Sequence, residues 1–378
     1  MPPLDDRLAW ITLARTPALS VALLATALET LGQAAGLLQA ADQMRARAGL
    51  PPAARAFLLS PEAAPTALER NWLEDDGHHL LPFNDRAFPS LLRATADCPV
   101  AIYVAGSIEA LSDPQLAIVG SRNPSRQGEE TAYAFAKHLA RQGLGITSGL
   151  AQGIDTQAHR GALAGCGCTI GVLGAGIDVI YPPGNAELAA DIARHGALVS
   201  EFPPGTPVRR GNFPRRNRII AALSLGTLVV EAARQSGSLI TARLAGEYGR
   251  EVFAIPGSIH NPLTRGCHQL IRQGAKLTET ADDILSELDF SGLKAPSPAE
   301  AVAPAVESPL ALHSAPGMDK DHKILLDALG FDPADIDTLV VRTGFKADAV
   351  SSMMLILELE GHVQAAPGGR YSRVARSL

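Results

Sequence analysis

From Leu116 to Pro256 the chain alternates two textures. Short apolar runs, "LAIVG" (116–120), "LGITS" (144–148), "TIGVLG" (169–174), "ALVSE" (197–201), "GTLVVEA" (226–232) and "EVFAIP" (251–256), are separated by segments of helical length such as "EETAYAFAKHLARQ" and "TQAHRGALAG". A strand that is apolar throughout, and not only at every second residue, has to be buried on both faces. Parallel neighbours also need a long crossover, which a helix supplies. The pattern predicts an α/β domain with a doubly wound, mostly parallel sheet. In such sheets ligands collect at the carboxyl ends of the strands, where helix N-termini offer free N–H groups.

The flanks read differently. Residues 1–75 carry Leu and Ala at three- and four-residue steps, as in "ALSVALLATALETLG", and predict a small helical domain. Residues 76–290 then hold a connecting segment and the α/β domain, and 291–317, rich in Pro, Ala and Ser without periodicity, read as a linker. In 318–378, "DKDHKILLDAL", "ADIDTLVVRTG" and "KADAVSSMMLILELEG" suggest three helices, followed by a hairpin around Gly368-Gly369. Three helices and a hairpin make the winged-helix pattern.

The predicted strand-end loops carry the chemistry. "VGSRNPSRQG" fits neither a dinucleotide fingerprint nor a P-loop, but Gly120, Ser121 and Arg122 precede a helix start and can together hold a phosphate. The same Gly120 equally permits a plain tight turn with Arg122 in solvent. Asp155 and His159, four residues apart, read as a helix cap and an internal hydrogen bond more readily than as an acid/base pair. "RRGNFPRRNRIIAAL" (209–223) places five arginines in ten positions of a chain whose net charge is -6, with no acidic residue between Glu201 and Glu231. Arginines at a helix start oppose the helix dipole, so helix stability does not explain them: either they are a solvated surface run that keeps the chain soluble, or they face an anionic ligand. Phe213 among them offers a base something to stack on. "ARQSGSLITA" adds Ser236, Gly237 and Ser238 at another helix start.

The four cysteines, Cys98, Cys166, Cys168 and Cys267, lack zinc spacing, and no metal or cofactor is expected. No basic and then apolar leader opens the chain, and no apolar stretch reaches membrane-spanning length, so a soluble, cytoplasmic protein is expected.

The succession "AIVGSRNPSRQG", "TSGLAQGIDTQAHRGAL", "GVLGAGIDVIYPPGN", "NFPRRNRIIAALS", "SGSLITARLA" and "VFAIPGS" closely resembles the DNA-processing protein A (DprA/Smf) family of bacteria. The resemblance covers residues 80 to 290. It implies an extended Rossmann-like domain that binds single-stranded DNA, with an N-terminal module resembling sterile-alpha-motif or helix-hairpin-helix domains. It further implies a non-enzymatic homodimer that protects incoming single strands and loads RecA recombinase in natural transformation and homologous recombination. Carried over by motif, Ser121 and Arg122 hold phosphate, Arg216, Asn217 and Arg218 line the basic pocket, Phe213 stacks, and Ile271 and Leu277 lie at the dimer contact. Three departures are visible. Pro183 stands where some relatives have lysine, "RTPALSVAL" lacks the glycines of a helix-hairpin-helix turn, and the presumed recognition helix sets one lysine against Asp348, Glu358 and Glu360. That charge suits a protein contact better than a major groove.

Two alternatives have weaker support. Nucleotide hydrolases that cleave N-glycosidic bonds carry a double-glycine loop, of which only Gly226, Thr227 and Glu231 survive here. A duplex-binding regulator would need a more basic winged helix.

Overall fold

The computed structural model describes residues 6–288, 320–330, 333–366 and 368–373. The predicted linker at 291–317 lies outside the described residues. The strands are β1 (His78–Pro82), β2 (Ala101–Gly106), β3 (Gln115–Gly120), β4 (Gly145–Ser148), β5 (Thr169–Val172), β6 (Ala197–Ser200), β7 (Gly226–Val230), β8 (Glu251–Ala254) and β9 (Lys276–Leu277). They form one nine-stranded sheet in the order β1-β2-β6-β5-β4-β3-β7-β8-β9. From β6 to β9 every pairing is parallel, while β1–β2 and β2–β6 are antiparallel.

The six apolar runs are strands: β3 and β4 end with their runs, and β5 to β8 end one or two residues earlier, where the chain turns away into the ligand-edge loops. Glu231, at the end of "GTLVVE", already has φ 55. Sequence reading missed β1 and β2, which lie in the segment taken as a connection. β2 pairs with β6 and β1 with β2, which extends the sheet beyond the doubly wound part.

Both faces of the sheet are covered, as continuous apolar strands require. Leu116 and Ile118 of β3 pack against the Arg126–Arg141 and Ile154–Ala164 helices. Ala117 and Val119 point the other way, into a core shared with the Asn212–Leu223 and Ser238–Glu247 helices. The helices between Asp6 and Trp72 enter that second core too, through Trp10, Leu13, Leu24 and Leu37. Trp72 meets Tyr103 of β2 edge-on at 5.8 Å. The N-terminal helices are thus built onto the sheet and share its hydrophobic interior.

Residues 320–373 hold helices at Lys320–Leu329, Ile336–Thr343 and Ala347–Leu359, followed by antiparallel strands Val363–Ala366 and Arg370–Arg373. Val350, Met354 and Leu357 turn inward at helical spacing, leaving Leu355 and Leu359 exposed. Arg342 reaches Glu130 of the α/β domain at 3.2 Å.

The Arg126–Arg141 and Ile154–Ala164 helices approach closely through small residues. A Cβ on Gly161 would lie 2.9 Å from Ala136 Cβ and collide with the Tyr133 carbonyl. Gly161→Val is expected to lower unfolding stability by about 1–3 kcal/mol, the usual cost of overpacking. Urea unfolding followed by circular dichroism measures it.

Candidate functional site

The strand order reverses between β3 and β7, since the chain runs outward from β3 through β4 and β5 to β6 before returning to β7 on β3's other side. Loops leaving neighbouring strand ends in opposite directions open a crevice there. A cleft of about 950 Å³ occupies that position, lined among others by Ser121, Arg122, Tyr181, Phe213, Arg216 and Ser236.

Local chemistry sets each wall. The turn after β3 is pinned by Ser121 N donating to Glu231 O (2.8 Å) and Ile154 N donating to Ser121 O (3.1 Å). Ser125 caps the following helix by accepting from Gly128 N (3.1 Å). Its own hydroxyl and N–H donate to the Glu231 carboxylate at 2.6 and 2.8 Å. Glu231 is buried and also accepts from Asn261 (3.3 Å). This carboxylate, the acid that the hydrolase alternative would need, is engaged in holding loops together. Gly226 and Thr227 sit at the opposite end of β7, away from the cleft.

The arginines divide by depth. Arg122 is exposed and holds its guanidinium 5.4 Å from the Phe213 ring centre. Arg210 is exposed at the rim. Arg216 is only 4% exposed and forms the floor, donating to the carbonyls of Gly149 and Val172 at the ends of β4 and β5. The close approach dictates glycine at 149, because a Cβ there would lie 2.5 Å from Arg216 Cζ. Burial lowers the Arg216 pKa to about 10, with Asp155 opposing and Arg122 reinforcing the shift, so the floor is still a cation at neutral pH. Burial likewise raises the pKa of Asp155, against the pull of Arg216 and of hydrogen bonds such as that from Ala151 N (3.3 Å).

The cleft gathers Ser121, Arg122, Phe213, Arg216, Asn217, Ser236, Gly237 and Ser238. Asn217 Nδ2 donates to Gly237 O (3.3 Å), and the Ser236 and Ser238 hydroxyls bond each other at 2.7 Å. Arg218 does not join them. Two residues on from Arg216, it leaves the far side of the helix. There it is ion-paired to Glu201 and donates to Asp97 O, lining a separate cleft beside the N-terminal helices. Asp155 sits in the first turn of its helix, where Gly153 is the N-cap. His159 makes the internal bond expected of it, Nδ1 to Thr169 Oγ1 at 2.7 Å. Ile271 packs against the core, whereas Leu277 is 43% exposed on β9, an edge strand.

Sequence reading missed Tyr181 as a cleft residue. Its only signal was an aromatic in the glycine- and proline-rich loop after β5. Among the described residues, no three His, Cys, Asp or Glu side chains gather as metal ligands, and no helix is long and apolar enough to cross a membrane.

Fold and cleft together define a class: a doubly wound α/β protein that turns cations, hydroxyls and rings toward its ligand and carries a small winged-helix unit. Residues 79–289 match the family described as DNA recombination-mediator protein A, and 295–369 match the DprA winged helix domain. Protein Smf of Escherichia coli is 45% identical over 308 residues, covering 81% of this chain and 80% of that one. The crystal structure of DNA processing protein A from Streptococcus pneumoniae superposes with a TM-score of 0.65 at 35% identity, covering 76% of this chain and 99% of that one. That of DNA processing protein A from Helicobacter pylori, described for its single-stranded DNA binding mode, gives a TM-score of 0.51 at 29% identity, covering 56% and 94%. The chain belongs to the DNA recombination-mediator protein A (DprA/Smf) family.

Two expectations follow from the floor of the cleft. Arg216→Met leaves the Gly149 and Val172 carbonyls and Asp155 without their buried cation, and should lower stability by about 3–5 kcal/mol. Arg122→Ala, at the surface, should change it by less than about 0.5 kcal/mol. Urea denaturation of the two variants compares them.

His159 generates a pH dependence. Burial, with Arg216 adding to it, holds the imidazole down to about 3 from its ordinary 6.5. Between those values the unfolded chain binds a proton that the folded chain refuses, so this contribution to stability is lost as pH falls below 6.5. Asp155, raised by burial, works in the opposite sense. The difference between wild type and His159→Leu isolates the imidazole. Stability of the wild type should fall more steeply from pH 6.5 downward, by up to about 1.4 kcal/mol per pH unit, as read by denaturation midpoints across pH.

Proposed function

We propose that the strand-end cleft binds single-stranded DNA, and that the chain protects incoming strands and loads RecA recombinase on them, as a homodimer, in natural transformation and homologous recombination. One observation carries the binding: a buried cation, exposed arginines, hydroxyls and an aromatic ring converge at the switch point of an otherwise acidic chain. The positive field comes from below through Arg216, where low dielectric strengthens it, and from the rim through Arg122 and Arg210. Ser121, Asn217, Ser236, Gly237 and Ser238 supply neutral hydrogen-bonding groups for phosphate oxygens. Phe213 meets a base face, which a duplex would keep stacked inside. The Helicobacter pylori relative, described for its single-stranded DNA binding mode, supports the same ligand here.

Arg218 acts in this proposal as a brace behind the pocket, holding the Asn212–Leu223 helix against Glu201 and Asp97. The dimer contact falls at Ile271 and Leu277, where the sheet ends on a short exposed edge. Residues 1–75, 76–290 and 318–378 are taken as the helical, DNA-binding and winged-helix units. The last offers Leu355 and Leu359 beside acidic residues, a surface suited to protein. RecA loading and transformation rest on the family resemblance.

Fluorescence anisotropy with single-stranded and duplex oligonucleotides at two salt concentrations tests the binding. The wild type should prefer the single strand and lose affinity steeply with salt. Arg122→Ala should weaken single-strand binding about tenfold and reduce the log–log salt slope by about 0.7. Unchanged affinity and slope would sink the proposed site.

A further inference from the structure

The loop after β5 holds an aromatic side chain that none of the cleft's phosphate chemistry uses. We propose that Tyr181 is a second base-stacking platform, so that the cleft seats two unpaired bases, one at each ring. This rests on the cleft being a single-stranded DNA site, and it adds what selects an unpaired strand there.

Tyr181 lines the same cleft as Arg122 and Phe213 and is 48% exposed. Its ring centre lies 6.0 Å from that of Phe213, at an interplanar angle of 50°. A base inserted between two rings needs them parallel and about 7 Å apart, twice the contact distance of about 3.5 Å. These rings meet neither condition, so a base can stack only on a face turned to the cleft. Phe213 is half-buried against Gly174, where a Cβ would lie 2.9 Å from its ring, and the guanidiniums of Arg122 and Arg216 stand 5.4 and 6.0 Å from its centre. Phe213 is the one ring that packs on Tyr181 among the described residues.

A single exposed aromatic on a protein surface needs no explanation. Tyr181 differs because its loop is held from both sides. Gly176 N donates to Thr206 O (2.9 Å), and Gly205 N donates to the Asp178 carboxylate (2.8 Å). Buried Asn185 donates to Leu150 O (2.9 Å) and Thr156 Oγ1 (3.0 Å). A ring presented on a pinned loop gives up little further freedom when a base stacks on it, which is the condition for stacking to add to affinity. Bases of a duplex stack on each other and cannot offer that face, so the two rings together favour an unpaired strand.

The experiment compares wild type, Tyr181→Ala and Tyr181→Phe in fluorescence anisotropy with two polymers of equal length. One is oligothymidylate and the other is an abasic deoxyribose-phosphate chain, which keeps the charges and lacks the bases. Tyr181→Ala should lose about 5- to 100-fold in affinity for oligothymidylate and bind the abasic chain as the wild type does. Tyr181→Phe should retain wild-type affinity for both, and all three should unfold at the same urea midpoint. An equal loss on both polymers, or no loss on oligothymidylate, would overturn the proposal. If the wild type itself fails to bind oligothymidylate, the single-strand reading falls with it. If Arg122→Ala weakens binding and Tyr181→Ala does not, only the stacking role falls.

Discussion

The guanidinium of Arg216, closed off from water beneath the strand ends, is the contact on which the rest of the site depends. It joins the carbonyl of Gly149, after β4, to that of Val172, the last residue of β5, from a helix that precedes β7. One side chain thus fixes three segments that are distant in sequence. A buried charge survives only when its hydrogen-bonding capacity is met, and that requirement reaches outward. It excludes a side chain at Gly149 and favours Asp155 nearby, and the same charge discourages protonation of His159. The cation that locks the strand ends also lines the cleft above, where it adds positive potential.

A second clamp works alongside it with opposite charge. Glu231 leaves β7 in a left-handed backbone conformation and gathers Ser125 and Asn261 onto its carboxylate. It thereby holds the turn that presents Ser121 and Arg122. The loops of the cleft are therefore pinned by a buried cation on one side and a buried anion on the other, and the exposed groups stand on fixed backbone. Preorganisation of this kind is how a shallow groove can hold a flexible strand without first ordering itself.

Much of the fold was legible because its signals are local. Strands buried on both faces are apolar along their length, and each residue run shows this without knowledge of its neighbours. The gathering of Ser121, Arg122, Phe213, Arg216 and Asn217 was legible from motif succession. Arg218 was not, because a linear motif does not say which side of a helix faces the ligand: residues 216 and 218 share the motif and leave on opposite sides. Strands β1 and β2 were missed for a related reason. "HHLLP" and "AIYVAG" lie amid prolines and polar residues, and their strand character comes from pairing with each other and, for "AIYVAG", with β6. Tyr181 gave no pattern at all, and its placement beside Phe213 depends on hydrogen bonds between its loop and Leu150, Thr156, Gly205 and Thr206, all distant in sequence.

By itself, the sequence determined the class of architecture, the loops that carry the chemistry and the excess of positive charge at one of them. Periodicity, glycine placement and charge are properties of short segments, and they survive translation into one dimension. Only the tertiary structure decided which arginines are floor, rim or brace, that Glu231 is engaged, and that a second ring stands at the cleft. Those outcomes depend on burial and on distances between segments far apart in the chain, and a linear order of residues contains neither.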